Sequence, residues 1–127
     1  LLVDDDRDIL AAMSTVLGDL GAEILTATDG NQAVNQAEKA KPDLVVLDQM
    51  LPKRSGFLVM ERLNRSRKKG EGPNVIMITA NLGQRHKLYA RSLGVDVYLN
   101  KPFRMDKLTE AVKELLLEDA SAAEEDG

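Results

Sequence analysis

Short, unbroken apolar runs alternate along this chain with segments whose apolar residues recur at helical spacing. The runs are Leu1–Val3, Glu23–Ala27 (the weakest), Leu44–Leu47, Val75–Ile78 and Val95–Leu99. Runs of this length, apolar without alternation, suit strands buried on both faces, as in parallel sheets. After them come Ile9, Leu10, Met13, Leu17 and Leu20, and Ala33, Val34, Ala37 and Ala40. Phe57, Leu58 and Leu63 follow in a helix over 55–68, then a helix over 82–93, then Leu108, Val112, Leu115 and Leu116. Gly21, Pro42, the Gly70-Glu71-Gly72-Pro73 stretch and Gly94 stand where such helices would stop. Strand and helix in strict alternation predict an α/β fold, a doubly wound five-stranded parallel sheet between helical layers with right-handed crossovers.

The length, 127 residues, suits one such domain, and the 43 % hydrophobic content can fill its core. The chain has no cysteine, which excludes disulfides, thiolate metal sites and thiol catalysis, and fits a cytoplasmic setting. No apolar run has the ~20 residues needed to cross a bilayer, so no membrane association is expected. The net charge of −4 argues against nucleic-acid binding through this domain. The cluster Arg65, Arg67, Lys68 and Lys69 has no interleaved aromatic and reads as the basic end of a helix. The lone His86 and the methionines Met13, Met60, Met77 and Met105 read as ordinary structural residues. The chain starts at Leu1 rather than Met, so the native start is expected upstream. Residues 1–117 are expected to form the domain, and 118–127 a frayed helix end and acidic tail or linker.

Open parallel sheets bind ligands beyond the carboxyl ends of their strands. At those ends the sequence places Asp4, Asp5 and Asp6, then Asp48, then Thr79 and Ala80, then Asn100, Lys101 and Pro102. Strand two offers only Thr28 and Asp29, read as a turn and helix cap. Asp6 and Asp8 have the same plain explanation, negative charge at a helix start. Asp4, Asp5 and Asp48 do not, because like charges converging in one cleft repel. Their −3 against the +1 of Lys101 leaves a deficit that one divalent cation would cancel. Oxygen donors with a single histidine in the chain favour Mg²⁺, with Mn²⁺ as an alternative, over zinc.

Four segments now carry a family resemblance. Val3-Asp4-Asp5-Asp6 resembles the acidic pair of response-regulator receiver domains (CheY-like) of two-component phosphorelay systems. Leu47-Asp48-Gln49-Met50-Leu51-Pro52-Lys53-Arg54-Ser55-Gly56 resembles their phosphoacceptor segment. Ile78-Thr79-Ala80 resembles their switch segment, and Tyr98-Leu99-Asn100-Lys101-Pro102-Phe103 their lysine–proline segment. The resemblance runs from about Leu1 to Leu116. It implies strand order 2-1-3-4-5 and a signalling domain that catalyses only its own phosphorylation and dephosphorylation. Asp48 matches the acceptor of a phosphoryl group from a sensor histidine kinase or histidine phosphotransfer protein. Asp5, Asp48 and the backbone carbonyl of Met50 match metal ligands, and Asp4 a ligand through water. Lys101, Thr79 and the Ala80 amide match groups that hold the phosphoryl oxygens. Thr79 and Tyr98 match the switch pair, and Pro102 the residue after a cis peptide bond. A downstream partner or output domain would read the last helix-strand-helix face, including Lys87, Tyr89, Arg91 and Tyr98, and the domain can dimerise there on activation.

Ser55 departs from the family's usual aspartate before the glycine, which a turn tolerates. Met50 and Asn81 lie two residues beyond Asp48 and Thr79, where the family gates water, so Met50 is expected to slow loss of the phosphoryl group. Three other readings were weighed. A dinucleotide-binding domain needs a glycine-rich turn where this chain has Asp4-Asp5-Asp6. A haloacid-dehalogenase-like phosphatase needs a second aspartate where this chain has Met50. A receiver-like module that only binds partners has no need of the full set of acidic, hydroxyl and lysine residues. Stand-alone action and excision from a larger regulator or hybrid kinase both stay open.

Overall fold

The computed structural model describes residues 1–66, 72–80 and 84–126. In chain order the elements are β1 (Leu2–Val3), α1 (Arg7–Gly18), β2 (Thr26–Ala27), α2 (Gly30–Ala40) and β3 (Leu44–Asp48). They continue with α3 (Gly56–Ser66), β4 (Asn74–Thr79), α4 (Gln84–Ser92), β5 (Val97–Asn100) and α5 (Met105–Asp126). The strands form one parallel sheet in the order β2-β1-β3-β4-β5. The basic cluster Arg65, Arg67, Lys68 and Lys69, like Asn81, lies outside the residues whose side chains are described.

Period-two alternation divides the core. Val3, Val45, Leu47, Val75 and Met77 point to one face, where Ala33, Val34, Ala37, Val59, Met60, Leu63 and Ala90 of α2, α3 and α4 cover them. Leu2, Val46, Ile76 and Ile78 point to the other, under Leu10, Met13, Leu17, Leu108, Ala111, Val112 and Leu115 of α1 and α5. Both faces of the central strands are therefore dry, which is why their sequences run apolar without a break.

Local chemistry sets the helix starts. Asp6 caps α1, its Oδ1 accepting from the amides of Asp8 and Ile9 at 2.9 and 3.3 Å. Asp29 caps α2 through the Gln32 amide at 2.9 Å. Ser55 Oγ accepts from the Leu58 amide at 3.3 Å at the start of α3. Lys41, in a left-handed conformation, ends α2 just before Pro42. Gly21 and Gly94, both at positive φ, follow α1 and α4.

Several expectations are corrected. Leu58 faces solvent, as do Leu20 and Leu116. Of the expected α3 face, Leu63 is buried and Phe57 packs partly buried against the core, while Val59 and Met60 take the place given to Leu58; in α5 Ala111 takes the place given to Leu116. The second strand covers Thr26–Ala27 rather than 23–27, and Val95 is buried but precedes β5. The α5 helix continues through Asp126, beyond the frayed end expected from residue 118.

Candidate functional site

The register of the sheet assembles the site. Val3 pairs with Leu47, so Asp4 leaves β1 level with Asp48 at the end of β3. Asp48 pairs with Ile78, one residue before Thr79, and Thr79 pairs with Asn100, one before Lys101. Four strands thus deliver Asp4, Asp48, Thr79 and Lys101 to one edge of the sheet, where the chain turns away. Asp4 and Asp48 are 1 % and 3 % exposed, and Thr79 is fully buried. Asp5 is exposed above them.

Lys101 reaches across the cluster. Its Nζ donates to Asp4 Oδ2 at 3.0 Å and to Asp48 Oδ2 at 3.2 Å. Asp4 Oδ1 accepts from the Asp6 amide at 2.9 Å, and Asp48 Oδ1 from the Met50 amide at 3.0 Å. Charge is still in deficit. Burial, above all, pushes the Asp48 carboxyl up to about 6, and the neighbouring Asp4 charge adds to it. The Met50 amide and Lys101 offset only part of this. Burial works against the Lys101 ammonium, but the hydrogen bond to Asp4 and the charges of Asp48 and Asp4 outweigh it, so its pKa rises.

One ligand oxygen from each of Asp4, Asp5 and Asp48 lies within 4.8 Å of the others. Three hard carboxylate donors, two of them buried, fit a hard divalent cation. Such an ion would supply the charge that Lys101 alone does not.

The loop carrying Asp48 is held tightly. The Gln49 amide donates to Ile78 O at 2.9 Å, and the Gly56 amide to Gln49 O at 2.9 Å. A Cβ at Gly56 would lie 2.7 Å from Asp48 O, so only glycine lets α3 begin this close to the strand end. A Cβ at Gly30 would collide with the backbone of Arg54 on the same loop.

The remaining expected residues fall around this centre. Met50 projects into solvent beside Asp48, 64 % exposed, and Ala80 is exposed directly after β4. The Lys101–Pro102 peptide is cis. Tyr98 packs against the core covered by α2, α3 and α4. Burial raises its phenol pKa, and a hydrogen bond with the Thr79 side chain partly offsets that. The expected switch pair is therefore in contact.

Sequence reasoning missed Gln49. It is buried, and its amide Nε2 lies 3.2 Å from Nδ1 of His86, which had been read as uninvolved. The signal was there: Gln49 continues the odd-numbered phase of Val45 and Leu47, so a polar side chain was aimed into an apolar layer.

The sequence pattern of the response regulator receiver domain matches residues 1–113. The chain belongs to the response-regulator receiver family. This receiver is 36 % identical over 123 residues to the alkaline phosphatase synthesis transcriptional regulatory protein PhoP of Bacillus subtilis, covering 97 % of this chain and 50 % of that protein. It is 39 % identical over 117 residues to the DNA-binding dual master transcriptional regulator RpaA of Synechocystis, covering 91 % and 48 %. The chain thus spans about half the length of these curated relatives. Among solved structures, a CheY-like receiver domain protein from Methanospirillum hungatei superposes with a TM-score of 0.87 at 27 % identity, covering 95 % of this chain and 94 % of that one. The receiver domain of the Francisella response regulator 1452 gives 0.84 at 27 % identity, covering 93 % and 95 %. As a receiver domain of two-component response regulators, the chain is a signalling domain. Among the described residues, no helix is long and apolar enough to cross a membrane.

Proposed function

We propose that this receiver takes a phosphoryl group onto Asp48 from a phosphohistidine of a sensor histidine kinase or histidine phosphotransfer protein, in the cytoplasm. The observation that carries the reading is Lys101 Nζ bridging two buried carboxylates, Asp4 and Asp48, at the strand ends. A carboxylate oxygen of Asp48 attacks phosphorus, the P–N bond breaks, and its electron pair returns to the imidazole. Asp5, Asp48 and the Met50 carbonyl would hold Mg²⁺, with Asp4 acting through water, and the ion would neutralise charge on the transferring oxygens. Lys101 exchanges its bond to Asp48 for one to a phosphoryl oxygen, and the Thr79 hydroxyl and Ala80 amide donate to others. Thr79 would then let go of Tyr98, and that change would reach the α4-β5-α5 face. Leu88 of α4 and Leu116 of α5 are exposed and would offer apolar contacts to an output domain or a second copy, whereas Tyr89, expected on that face, turns to Phe57 and Glu61 of α3. Residues 1–117 would act as the receiver unit and 118–127 as an acidic C-terminal tail or linker.

Intact mass after incubation with Mg²⁺ and acetyl phosphate tests the reading. One phosphoryl adduct is expected on the wild type, none on Asp48→Ala and none without metal. An adduct that survives Asp48→Ala would overturn the assignment. The exposed thioether of Met50 beside the acceptor supports slow hydrolysis, since an apolar side chain there offers attacking water no hydrogen bond. The adduct should outlast that of Met50→Asn when its decay is followed by the same mass measurement, and equal half-lives would remove Met50 from the mechanism.

A further inference from the structure

The Gln49 side chain is 5 % exposed, yet among the described residues its carbonyl Oε1 has no hydrogen-bond partner. Its Nε2 has one, Nδ1 of His86 in the first turns of α4. Rotating the amide would bring Oε1 to the ring and leave Nε2 unpaired instead. The pocket therefore satisfies this side chain by half in either orientation, and a buried amide atom left unpaired is costly. The backbone of Gln49 is fixed at both ends, to Ile78 of β4 and to Gly56 of α3. The His86 ring is fixed from the other side. It stacks on Phe57 of α3 with centroids 5.9 Å apart and planes 13° apart. Phe57 in turn lies 5.0 Å from the Tyr89 ring, and Tyr89 donates to Glu61 at 2.8 Å. A single hydrogen bond thus ties the residue next to Asp48 directly to α4, outside the Thr79–Tyr98 contact.

We infer that Gln49 and His86 form a latch that holds α4 in its resting position against the acceptor loop, and that phosphorylation of Asp48 releases it. The inference rests on the acceptor reading above and adds a second route from that site to the output face. The bond to His86 opposes movement of α4, while the cost of the unpaired oxygen is relieved once movement admits water or another donor. A fully satisfied side chain would lock α4, and an apolar one would not hold it.

Amide hydrogen exchange over α4, read by mass spectrometry on the whole chain, tests the latch. His86→Phe keeps a ring against Phe57 and removes the bond. Gln49→Leu removes the bond from the other side and the buried orphan with it. Without phosphodonor, both variants are expected to exchange α4 amides at least fivefold faster than the wild type. Acetyl phosphate with Mg²⁺ should bring the wild type towards the variants' rate and change the variants by less than twofold, while all three carry the adduct on Asp48. Wild-type exchange rates in both resting variants would overturn the latch. A wild type that carries the adduct with α4 exchange unchanged would overturn the release. No adduct on the wild type would overturn the acceptor reading, and the release step with it, while the resting comparison still decides the latch.

Discussion

Two buried carboxylates, Asp29 at the start of α2 and Asp48 at the end of β3, each lie beside a lysine, and the fold treats them in opposite ways. Asp29 faces the start of α2. Backbone donation from Gln32 is the main influence on it and outweighs the cost of burial, and Lys53, 3.6 Å away, adds to the effect. Its carboxyl is held below the usual range. Asp48 faces Asp4 across Lys101, and burial dominates, raising its carboxyl to about 6. Helix geometry gives Asp29 aligned donors, whereas a strand end gives Asp48 one amide and half of a lysine. A satisfied carboxylate anchors structure. An under-compensated one retains affinity for a proton, a metal or a phosphoryl group, and so it marks the reactive place.

Removing Lys101 should widen the contrast most. Lys101→Met leaves Asp4 and Asp48 facing each other without a cation, and breaking a buried pair costs about 3 kcal/mol. Thermal unfolding of the metal-free variant at pH 7 is expected to show a loss of that order. Mg²⁺ should recover more stability in the variant than it adds to the wild type, because the ion replaces the missing charge. Equal gains from Mg²⁺ in the two proteins would mean that the metal does not bind among these carboxylates. Adduct formation with acetyl phosphate should fall at least tenfold, the loss expected when a charged group that holds the transferring oxygens is removed.

What could be read in advance divides along the same line. The layers and the polar strand ends were legible because they follow from runs of residues and from where each run stops, whereas the strand order came from the family resemblance. Asp4, Asp48 and Thr79 each follow an apolar stretch directly, Lys101 follows one after Asn100, and parallel register then brings them together. Helical phase was less legible. In α3 the contiguous Phe57-Leu58 pair drew attention, but the core selects Val59, Met60 and Leu63, spaced three and four apart. The small Ala111 fits beneath α5 where Leu116 was expected, because the stripe from Leu108 reaches Ala111, Val112 and Leu115 first. The Gln49–His86 contact joins residues 37 positions apart and depends on how α4 lies across the sheet, which no local pattern encodes.

Neutralising Asp48 should stabilise the metal-free protein. The folded-state pKa of Asp48 lies above its unfolded value, so the folded protein holds the extra proton between about pH 4 and 6. Its stability therefore falls as pH rises through that window. Asp48→Asn, which resembles the protonated form, is expected to be more stable at pH 7–8, by on the order of 2 kcal/mol after allowing for solvent screening. The advantage should shrink towards zero at pH 4 in denaturant titrations. An advantage that stays constant from pH 8 to 4 would locate its cause in packing rather than in charge.

The smallest effect belongs to Asp29, and it carries the opposite sign. Its folded-state pKa lies below the unfolded value, so its contribution is complete above the unfolded pKa and is lost only as pH falls through the folded one. Asp29→Asn keeps a capping oxygen for the Gln32 amide and loses the attraction of Lys53, so a modest loss of stability is expected at pH 7. Both substitutions converge on the wild type in strong acid, but through different windows. Between pH 6 and 4 the gain from Asp48→Asn disappears while the loss from Asp29→Asn persists. Denaturant midpoints for the two variants across that interval separate a carboxylate held by helix donors from one held short of charge. If both differences faded together, the two sites would share one electrostatic environment, and the acceptor pocket would have no special claim to reactivity.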